Sequence, residues 1–361
     1  MITQAVAKKR FNRNTSCKFC KSGFFSVKWV YPNLLNLLTL DTSVQSLFFE
    51  QIRKRLSPHV SFVDELAELL DISRDSAYRR MRGETVLSLD EVKKLAVKFK
   101  ISVDSIISPS ADIALFQYRA VEKNNFKGWL KNVEENLSFL ANIPKAELWY
   151  FAKDTPVFYY FNSPLLSAFK MYFWMTAVLR NDEYRNQKFS MSSVPNELTA
   201  LGRKLYDLYT SIPRTEIWSE ETLNVTLRQI EFYNDCGFFA ERSYGIQLCD
   251  EYLELMNNIR SWAEIGYKEK KESFFNLYKN DLVIADNTIL FKMGEKRTVF
   301  LPYNTLNILS TSHEVFCKQA DDYLSNLVTK SDRISTSNEK QRNTFFNQIE
   351  EKIRLVKKKL L

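Results

Sequence analysis

Apolar residues recur at helical spacing in five short segments between residues 43 and 108. In the second segment, Val63, Leu66 and Leu70 lie about one turn apart, so they fall on one face of a helix. Short helices that follow one another closely are typical of a compact all-helical domain, which we place at residues 44–107. The five segments are SVQSLFFEQIRKRL, SFVDELAELL, SRDSAYRRMRGE, SLDEVKKLAVKFK and SVDSIIS.

Capping residues mark where these helices begin and end. Ser61 and Ser73 open the second and third segments, and a serine at this position can accept a hydrogen bond from a backbone amide of the first turn. Ser88 is followed three residues later by Glu91, which is the pattern of a capping box. Gly83 lies near the end of the third segment, just past the predicted helix, where a left-handed residue commonly ends a helix.

The pattern changes in the rest of the chain. Up to about residue 270 the apolar positions keep helical spacing, whereas short β-branched and aromatic runs then predict an antiparallel meander of four or five strands. We therefore predict a mainly α chain with a small antiparallel sheet (α+β) near the C-terminus. The helices are predicted at 111–141, 163–180, 196–211, 217–235, 241–265, 312–328 and 339–360. The predicted segments are 1–40, 44–107, 111–270 and 271–361.

The longest apolar stretch, residues 157–179, is long enough to span a bilayer. Lys170 lies near its centre, however, and a charged side chain at that depth is costly. Ser163 followed by Pro164 is the typical pair of an N-cap and a first helical residue. We favour a buried core helix that begins near residue 164, with a membrane segment as the alternative.

The positive charge is concentrated in the first 40 residues. Of the net charge of +8, these residues contribute seven basic side chains and no acid. The rest of the chain is nearly neutral, so its charge alone does not indicate a nucleic-acid partner. We expect residues 1–40 to be a poorly ordered extension, or sequence translated upstream of the true start. A basic arm that follows DNA is the alternative.

The cysteines favour a reduced, cytoplasmic protein. Their number is five, which is odd, and no secretory pattern follows Met1. Cys17 and Cys20 form a C-x-x-C pair without a second pair, whereas a zinc site needs four ligands and a redox motif needs a βαβ context. We favour a chance pairing, with metal or redox chemistry as the alternative.

The sequence lacks several residue patterns that are typical of enzymes. It has two histidines, His59 and His313, and it lacks the G-x-S-x-G, P-loop and H-E-x-x-H patterns. His313 and Cys317 lie four residues apart on a predicted helix, but no third metal ligand is evident, so an ordinary helix surface is favoured. We expect no enzyme activity, no catalytic residue, no cofactor and no metal.

Three of the predicted helices have the arrangement of a helix-turn-helix motif. Helix 63–70 would brace helix 73–82, which would project into the major groove, and helix 88–100 would follow. Ala77 and Met81 are four residues apart and would form the packed side of the second helix. Its other side carries polar and long side chains, namely Arg74, Asp75, Ser76, Tyr78, Arg79 and Arg82.

Residues 63–106 resemble a known family of domains, and the match runs without a gap over the sequence VDELAELLDISRDSAYRRMRGETVLSLDEVKKLAVKFKISVDSI. It resembles the helix-turn-helix domain of the Cro and repressor class of transcription regulators, the xenobiotic-response-element type. The similarity covers about 45 to 65 residues and leaves the large C-terminal region unassigned. The matching positions are Leu66–Ala67, Ser73, Arg82–Gly83, Ser88–Leu89, Leu95–Ala96, Ile101–Ser102 and Asp104.

Three positions depart from the family pattern. Asp71 replaces the usual turn glycine, and aspartate tolerates the left-handed conformation. Val63 replaces a glutamine that often contacts a phosphate in that family. Arg80 occupies a position that is normally apolar in the family, and the sequence does not explain how its side chain packs.

The resemblance implies a bacterial, cytoplasmic transcription regulator that binds double-stranded DNA in a sequence-specific way. A single domain of this size contacts few base pairs, so we expect a homodimer with half-sites about one helical turn apart. Residues 111–361 would dimerise or respond to a small-molecule or protein effector, and no membrane partner is expected. The alternatives are a protein-interaction or recruitment adaptor, and an uncharacterised enzyme in residues 111–361.

The resemblance also assigns roles to individual side chains. The residues that would face base edges are Arg74, Asp75, Ser76 and Arg79. The residues that would reach phosphates are Ser73, Tyr78 and Arg82.

Overall fold

The computed structural model describes residues 43–53, 55–56, 60–107, 113–184, 186–281 and 286–361. The predictions for residues 1–40, including the Cys17–Cys20 pair, lie outside the described residues. The chain divides after residue 107 into two compact units.

The first unit is helical in its described part, as predicted. The apolar faces of its helices pack into one core. Each helix except the short last one contributes at least one fully buried side chain to this core, and in the last helix Ile106 is 7% exposed. The helices are α1 (Val44–Arg53), α2 (Phe62–Leu70), α3 (Arg74–Met81), α4 (Leu89–Phe99) and α5 (Asp104–Ile107).

The predicted turn and two of the predicted caps are present. Asp71 ends α2 in the left-handed conformation, with φ 56° and ψ 52°. The Ser73 hydroxyl accepts a hydrogen bond from the Ser76 amide, and Ser88 forms a capping box with Glu91. The cap predicted at Ser61 differs, because Ser61 occupies the N-cap position without a side-chain capping bond.

One mixed sheet runs through the second unit. Its strand order is β1-β7-β6-β5-β2-β3-β4-β8, and β2, β3 and β4 are parallel to one another, whereas the other neighbours are antiparallel. The strands are β1 (Gln117–Arg119), β2 (Ala146–Phe151), β3 (Arg214–Trp218), β4 (Phe275–Lys279), β5 (Thr288–Met293), β6 (Lys296–Tyr303), β7 (Asn307–Thr311) and β8 (Asp332–Arg333).

Helices connect the parallel strands, because a parallel crossover needs a long connection. α7 and α8 lie between β2 and β3, and α9 and α10 lie between β3 and β4. The main core packs on one face of the sheet, and α11 covers part of the other face. The helices are α6 (Phe126–Ala141), α7 (Pro164–Phe173), α8 (Asn196–Ser211), α9 (Asn224–Asp235), α10 (Ser243–Ile265), α11 (Glu314–Thr329) and α12 (Glu339–Leu360).

The predicted fold class, mainly α with a sheet, is confirmed, but the sheet is larger than predicted. β2 and β3 lie inside the stretch 111–270, and β4 pairs with β3 in parallel, so only β5, β6 and β7 form an antiparallel meander. The helices predicted at 111–141 and 217–235 begin later, at Phe126 and Asn224. All five residues of β3 are buried, so the strand has no polar alternation to identify it.

The apolar stretch 157–179 contains a buried helix, as predicted. α7 begins at Pro164, and its residues 165–172 are all buried. The Lys170 ammonium donates hydrogen bonds to Thr226 and Gln229. In the described parts of the chain, no helix is long and apolar enough to cross a membrane.

His313 and Cys317 do not form the open helix surface that the sequence favoured. The Nδ1 atom of His313 accepts a hydrogen bond from the Phe316 amide at 3.3 Å and so caps α11. Cys317 is buried, with its Sγ 3.3 Å from the carbonyl oxygen of Thr311. The described residues contain no group of three or more His, Cys, Asp or Glu side chains placed to hold a metal ion.

A fully buried ion pair lies on β3. Glu216 Oε1 accepts hydrogen bonds from Arg214 Nε at 3.2 Å and from the Tyr209 hydroxyl at 2.7 Å. The Tyr159 hydroxyl donates to the same oxygen, and Trp218 Nε1 donates to Oε2 at 2.8 Å. Both oxygens of the buried carboxylate therefore accept hydrogen bonds from protein groups.

Candidate nucleic-acid interface

Packing against α2 determines which side of α3 faces solvent. Ala77 is fully buried, and Met81 packs partly against the same core, as the sequence predicted. The residues predicted to contact DNA surround this packed side. Six of them are exposed and Ser76 is half-buried: Ser73, Arg74, Asp75, Ser76, Tyr78, Arg79 and Arg82.

Each exposed arginine of this surface lies beside an acid of the same unit. All six side chains are more than two-fifths exposed, and ion pairs of this kind contribute about 0–1 kcal/mol. A phosphate or a base edge can therefore displace these acids at little cost. The pairs are Arg74 with Asp64, Arg79 with Asp75, and Arg82 with Glu84.

The pairing shifts the pKa of three of these side chains toward the charged form. The hydrogen bond from Arg74 lowers the pKa of Asp64, and the same bond raises the pKa of Arg74. The hydrogen bond to Glu84 likewise raises the pKa of Arg82.

Arg79 differs from the other two arginines in how it is paired. Its Nε atom lies 3.2 Å from Asp75 Oδ2, one helical turn earlier. Arg74 and Arg82 each direct both Nε and Nη2 at their acid. Within the described residues, the terminal nitrogens of Arg79 make no hydrogen bond, so its bidentate edge is free to donate.

Arg80, which the sequence left unexplained, turns toward α4. Its side chain is 16% exposed, and Nη2 donates to Glu91 Oε1 at 2.8 Å. Nη1 donates to the Ser76 carbonyl at 3.3 Å, whereas the buried Nε has no partner among the described residues. An ion pair therefore takes the place of the apolar contact expected at this position.

Glu91 joins two structural roles. Its Oε2 accepts the Ser88 amide at 2.8 Å in the capping box, while Oε1 holds Arg80. Burial acts to raise the pKa of Glu91, but the Ser88 amide and the Arg80 guanidinium outweigh it and lower that pKa below 4.5. The carboxylate thus connects the end of α3 to the start of α4.

Replacing Arg80 with methionine should destabilise the first unit by about 1–3 kcal/mol, because Glu91 would lose its charged partner in a largely desolvated position. Hydrogen exchange at the amides of α3 and α4 in the full chain measures this loss. Arg82→Met is the matched control, since its exposed ion pair should change stability by less than about 0.5 kcal/mol. Equal exchange in both variants would contradict the assignment.

The same pair predicts an acid sensitivity. Because its folded-state pKa is lowered, Glu91 stabilises the fold fully above about pH 4.5, and the contribution is lost as the pH falls through the lowered value. Arg80→Met should reduce this loss between neutral pH and acid, as measured by the same exchange experiment.

Val63 cannot replace the phosphate-binding glutamine of the resembled family. It is 9% exposed and belongs to the core of the first unit. The start of α2 therefore contributes packing at this position, and we expect no phosphate contact from the Val63 side chain.

Sequence reasoning missed Gln45. From α1, its Nε2 donates to the carbonyl oxygens of Arg80 at 2.8 Å and Thr85 at 2.9 Å, and its Oε1 accepts the Leu87 amide at 2.8 Å. These contacts join positions 35 to 42 residues apart, and a single polar residue in α1 gives no local signal of them.

The fold and this surface together define the class of the first unit. It is a helix-turn-helix domain in which α3, the second helix of the motif, exposes one side to solvent. Residues 43–116 match the family model described as the BetR domain, an N-terminal helix-turn-helix-like domain of transcription regulators. This similarity indicates a DNA-binding regulator and leaves the C-terminal region unassigned. No curated protein and no solved structure matches the chain significantly.

Proposed function

We propose that this chain is a sequence-specific, DNA-binding transcription regulator that places α3 in the major groove. The observation that carries the proposal is the two-sided character of α3, with Ala77 buried and Tyr78 and Arg79 exposed. A helix that enters the groove needs one side braced and the other side free. The similarity to the BetR domain supports the same function.

The exposed side chains have the chemistry for the roles that the sequence assigned. Arginine pairs with guanine, and aspartate accepts from cytosine. Hydroxyl groups and arginines at the edges of the helix suit phosphate oxygens. The base-facing set is Arg74, Asp75, Ser76 and Arg79. The phosphate-facing set is Ser73, Tyr78 and Arg82.

Residues 43–107 contain eleven Lys and Arg and ten Asp and Glu side chains. Affinity would therefore come from the placement of a few guanidinium groups, with little help from net charge. A near-neutral domain of this size suits a homodimer, in which two copies of α3 contact half-sites about one helical turn apart. Residues 108–361 would supply the dimer contact or an effector response, without enzyme activity or a cofactor, in the cytoplasm.

The test is the binding of the full chain to DNA fragments of its source genome over a range of salt concentrations. A preferred site with two half-sites and a log–log salt slope of about −2 or steeper is expected, since each of two domains neutralises at least one phosphate. Absence of binding, or a slope near zero, would overturn the proposal. The adaptor and enzyme alternatives would then be the ones to pursue.

A further inference from the structure

The side-chain amide of Gln45 makes three hydrogen bonds, all of them to the backbone of one stretch of residues. Both amide hydrogens and the carbonyl oxygen bond to main-chain groups of residues 80, 85 and 87. This stretch includes the end of α3, Arg82 and the left-handed Gly83, whose φ is 79°. One side chain of α1 thus fixes the segment that follows the groove-facing helix.

Arg80 pairs with Glu91 of α4 at the start of this stretch, but few other contacts hold residues 83–87 to the rest of the unit. The amides of Glu84 and Thr85 bond to the Arg79 carbonyl, which ties the stretch only to α3 itself. Val86 is 81% exposed, and Leu87 packs only partly against the core. The link between this segment and α1 therefore depends on the Gln45 amide.

We propose that Gln45 is a positioning residue for DNA binding, which acts by holding residues 80–87 so that Arg82 meets a backbone phosphate. The proposal rests on the proposed function, because it concerns the same DNA-binding surface. Arg82 lies between Arg80 and Thr85, the two residues whose carbonyl oxygens Gln45 holds. Loss of the amide would free the backbone on the C-terminal side of the guanidinium, because Arg80 stays in the hydrogen-bonded end of α3.

A positioning role and a merely structural role change different measurements. If Gln45 only stabilised the fold, its loss would lower the fraction of active protein and leave the salt slope unchanged. If Gln45 places Arg82, its loss should remove a phosphate contact and reduce the magnitude of the salt slope by about 1 for each domain. Base preference should stay as in the wild type, because the ion pair with Asp75 positions the Arg79 side chain.

The experiment uses the full chain with Gln45→Ala, Gln45→Glu and the matched control Gln51→Ala. Gln51 is a half-buried glutamine of the same helix for which the described residues show no side-chain hydrogen bond. Gln45→Glu keeps the acceptor for the Leu87 amide and loses both donors. Binding to the preferred DNA site is measured against salt, together with the active fraction and hydrogen exchange at Leu87.

Both Gln45 variants should bind about 100-fold more weakly, because each of the two domains loses one charged contact worth about 1.4 kcal/mol, or about tenfold. They should also show the reduced slope and unchanged base preference, while Gln51→Ala behaves as the wild type. In an Arg82→Ala background, Gln45→Ala should produce no further change in slope. Faster exchange at Leu87 in Gln45→Ala, with α3 still protected in both variants, would show that the variants remain folded.

Two results would overturn the inference. One is a wild-type salt slope in both Gln45 variants, and the other is an effect of Gln51→Ala as large as that of Gln45→Ala. If the wild-type chain itself binds no DNA, the proposed function fails, and this outcome differs from binding that persists without dependence on Gln45.

Discussion

Arg79→Ala is expected to weaken binding to the preferred DNA site by about 10- to 100-fold and to relax the preference at one base pair of each half-site. The physical reason is the loss of a bidentate contact, which contributes about 1–3 kcal/mol of discrimination against the wrong base. Among the exposed arginines of α3, Arg79 is the one whose terminal nitrogens are free within the described residues while Nε is held. The measurement is a competition between the preferred site and variants with single base changes.

The matched control for Arg79→Ala is Lys94→Ala, which removes one exposed positive charge from α4. It should change binding only slightly and leave the base preference intact. Asp75→Asn removes the acid that holds Nε, so it should change the preferred base without abolishing binding. An Arg79→Ala variant with the base preference of the wild type would contradict the role assigned to Arg79.

Arg214→Met is expected to destabilise the second unit by about 3–5 kcal/mol, because it would leave the Glu216 carboxylate buried without its charged partner. Both side chains are fully buried, and the Arg214 guanidinium also stacks 4.5 Å from the centre of the Phe275 ring. Burial raises the pKa of Glu216, so the variant could relieve part of the cost by protonating this group. The three neutral donors to Glu216 stay in place.

Tryptophan fluorescence during denaturant unfolding of the full chain measures this change, because five of the six tryptophans lie in the second unit. The control is Arg354→Met, which breaks an ion pair with Glu350 on α12 whose arginine is 63% exposed. It should cost less than about 0.5 kcal/mol. The double variant Arg214→Met with Glu216→Leu should recover part of the stability, since no buried charge remains. An Arg214→Met variant within about 1 kcal/mol of the wild type would refute this account.

The first unit was predictable from sequence because its signals are local. Helical spacing, the caps at Ser73 and Ser88 and the left-handed turn at Asp71 all act within about one helical turn of the chain. The burial of Ala77 and the exposure of Arg79 follow from the same spacing. The structure therefore places the predicted DNA-facing residues where the pattern put them, while their contacts with DNA stay a prediction.

The second unit was less predictable, and the reason lies in its central strands. β2 and β3 are each enclosed on both sides by other strands. All five residues of β3 are buried although its first three are polar, so this strand shows no apolar–polar alternation that would identify it. Parallel pairing also joins strands separated by about 60 residues, which local periodicity cannot detect. For the same reason the stretches 111–270 and 271–361 supply strands to a single sheet.

The sequence by itself determined the helices of the first unit, their caps and the side of α3 that faces solvent, since these depend on neighbours within a few residues. Only the tertiary structure decided which polar side chains bond between different helices. Arg80 of α3 forms an ion pair with Glu91 of α4, and Gln45 of α1 forms hydrogen bonds with a backbone segment 35 to 42 residues further along the chain. Such contacts depend on the distance between helices in space, and the order of residues along the chain does not encode that distance in any local pattern.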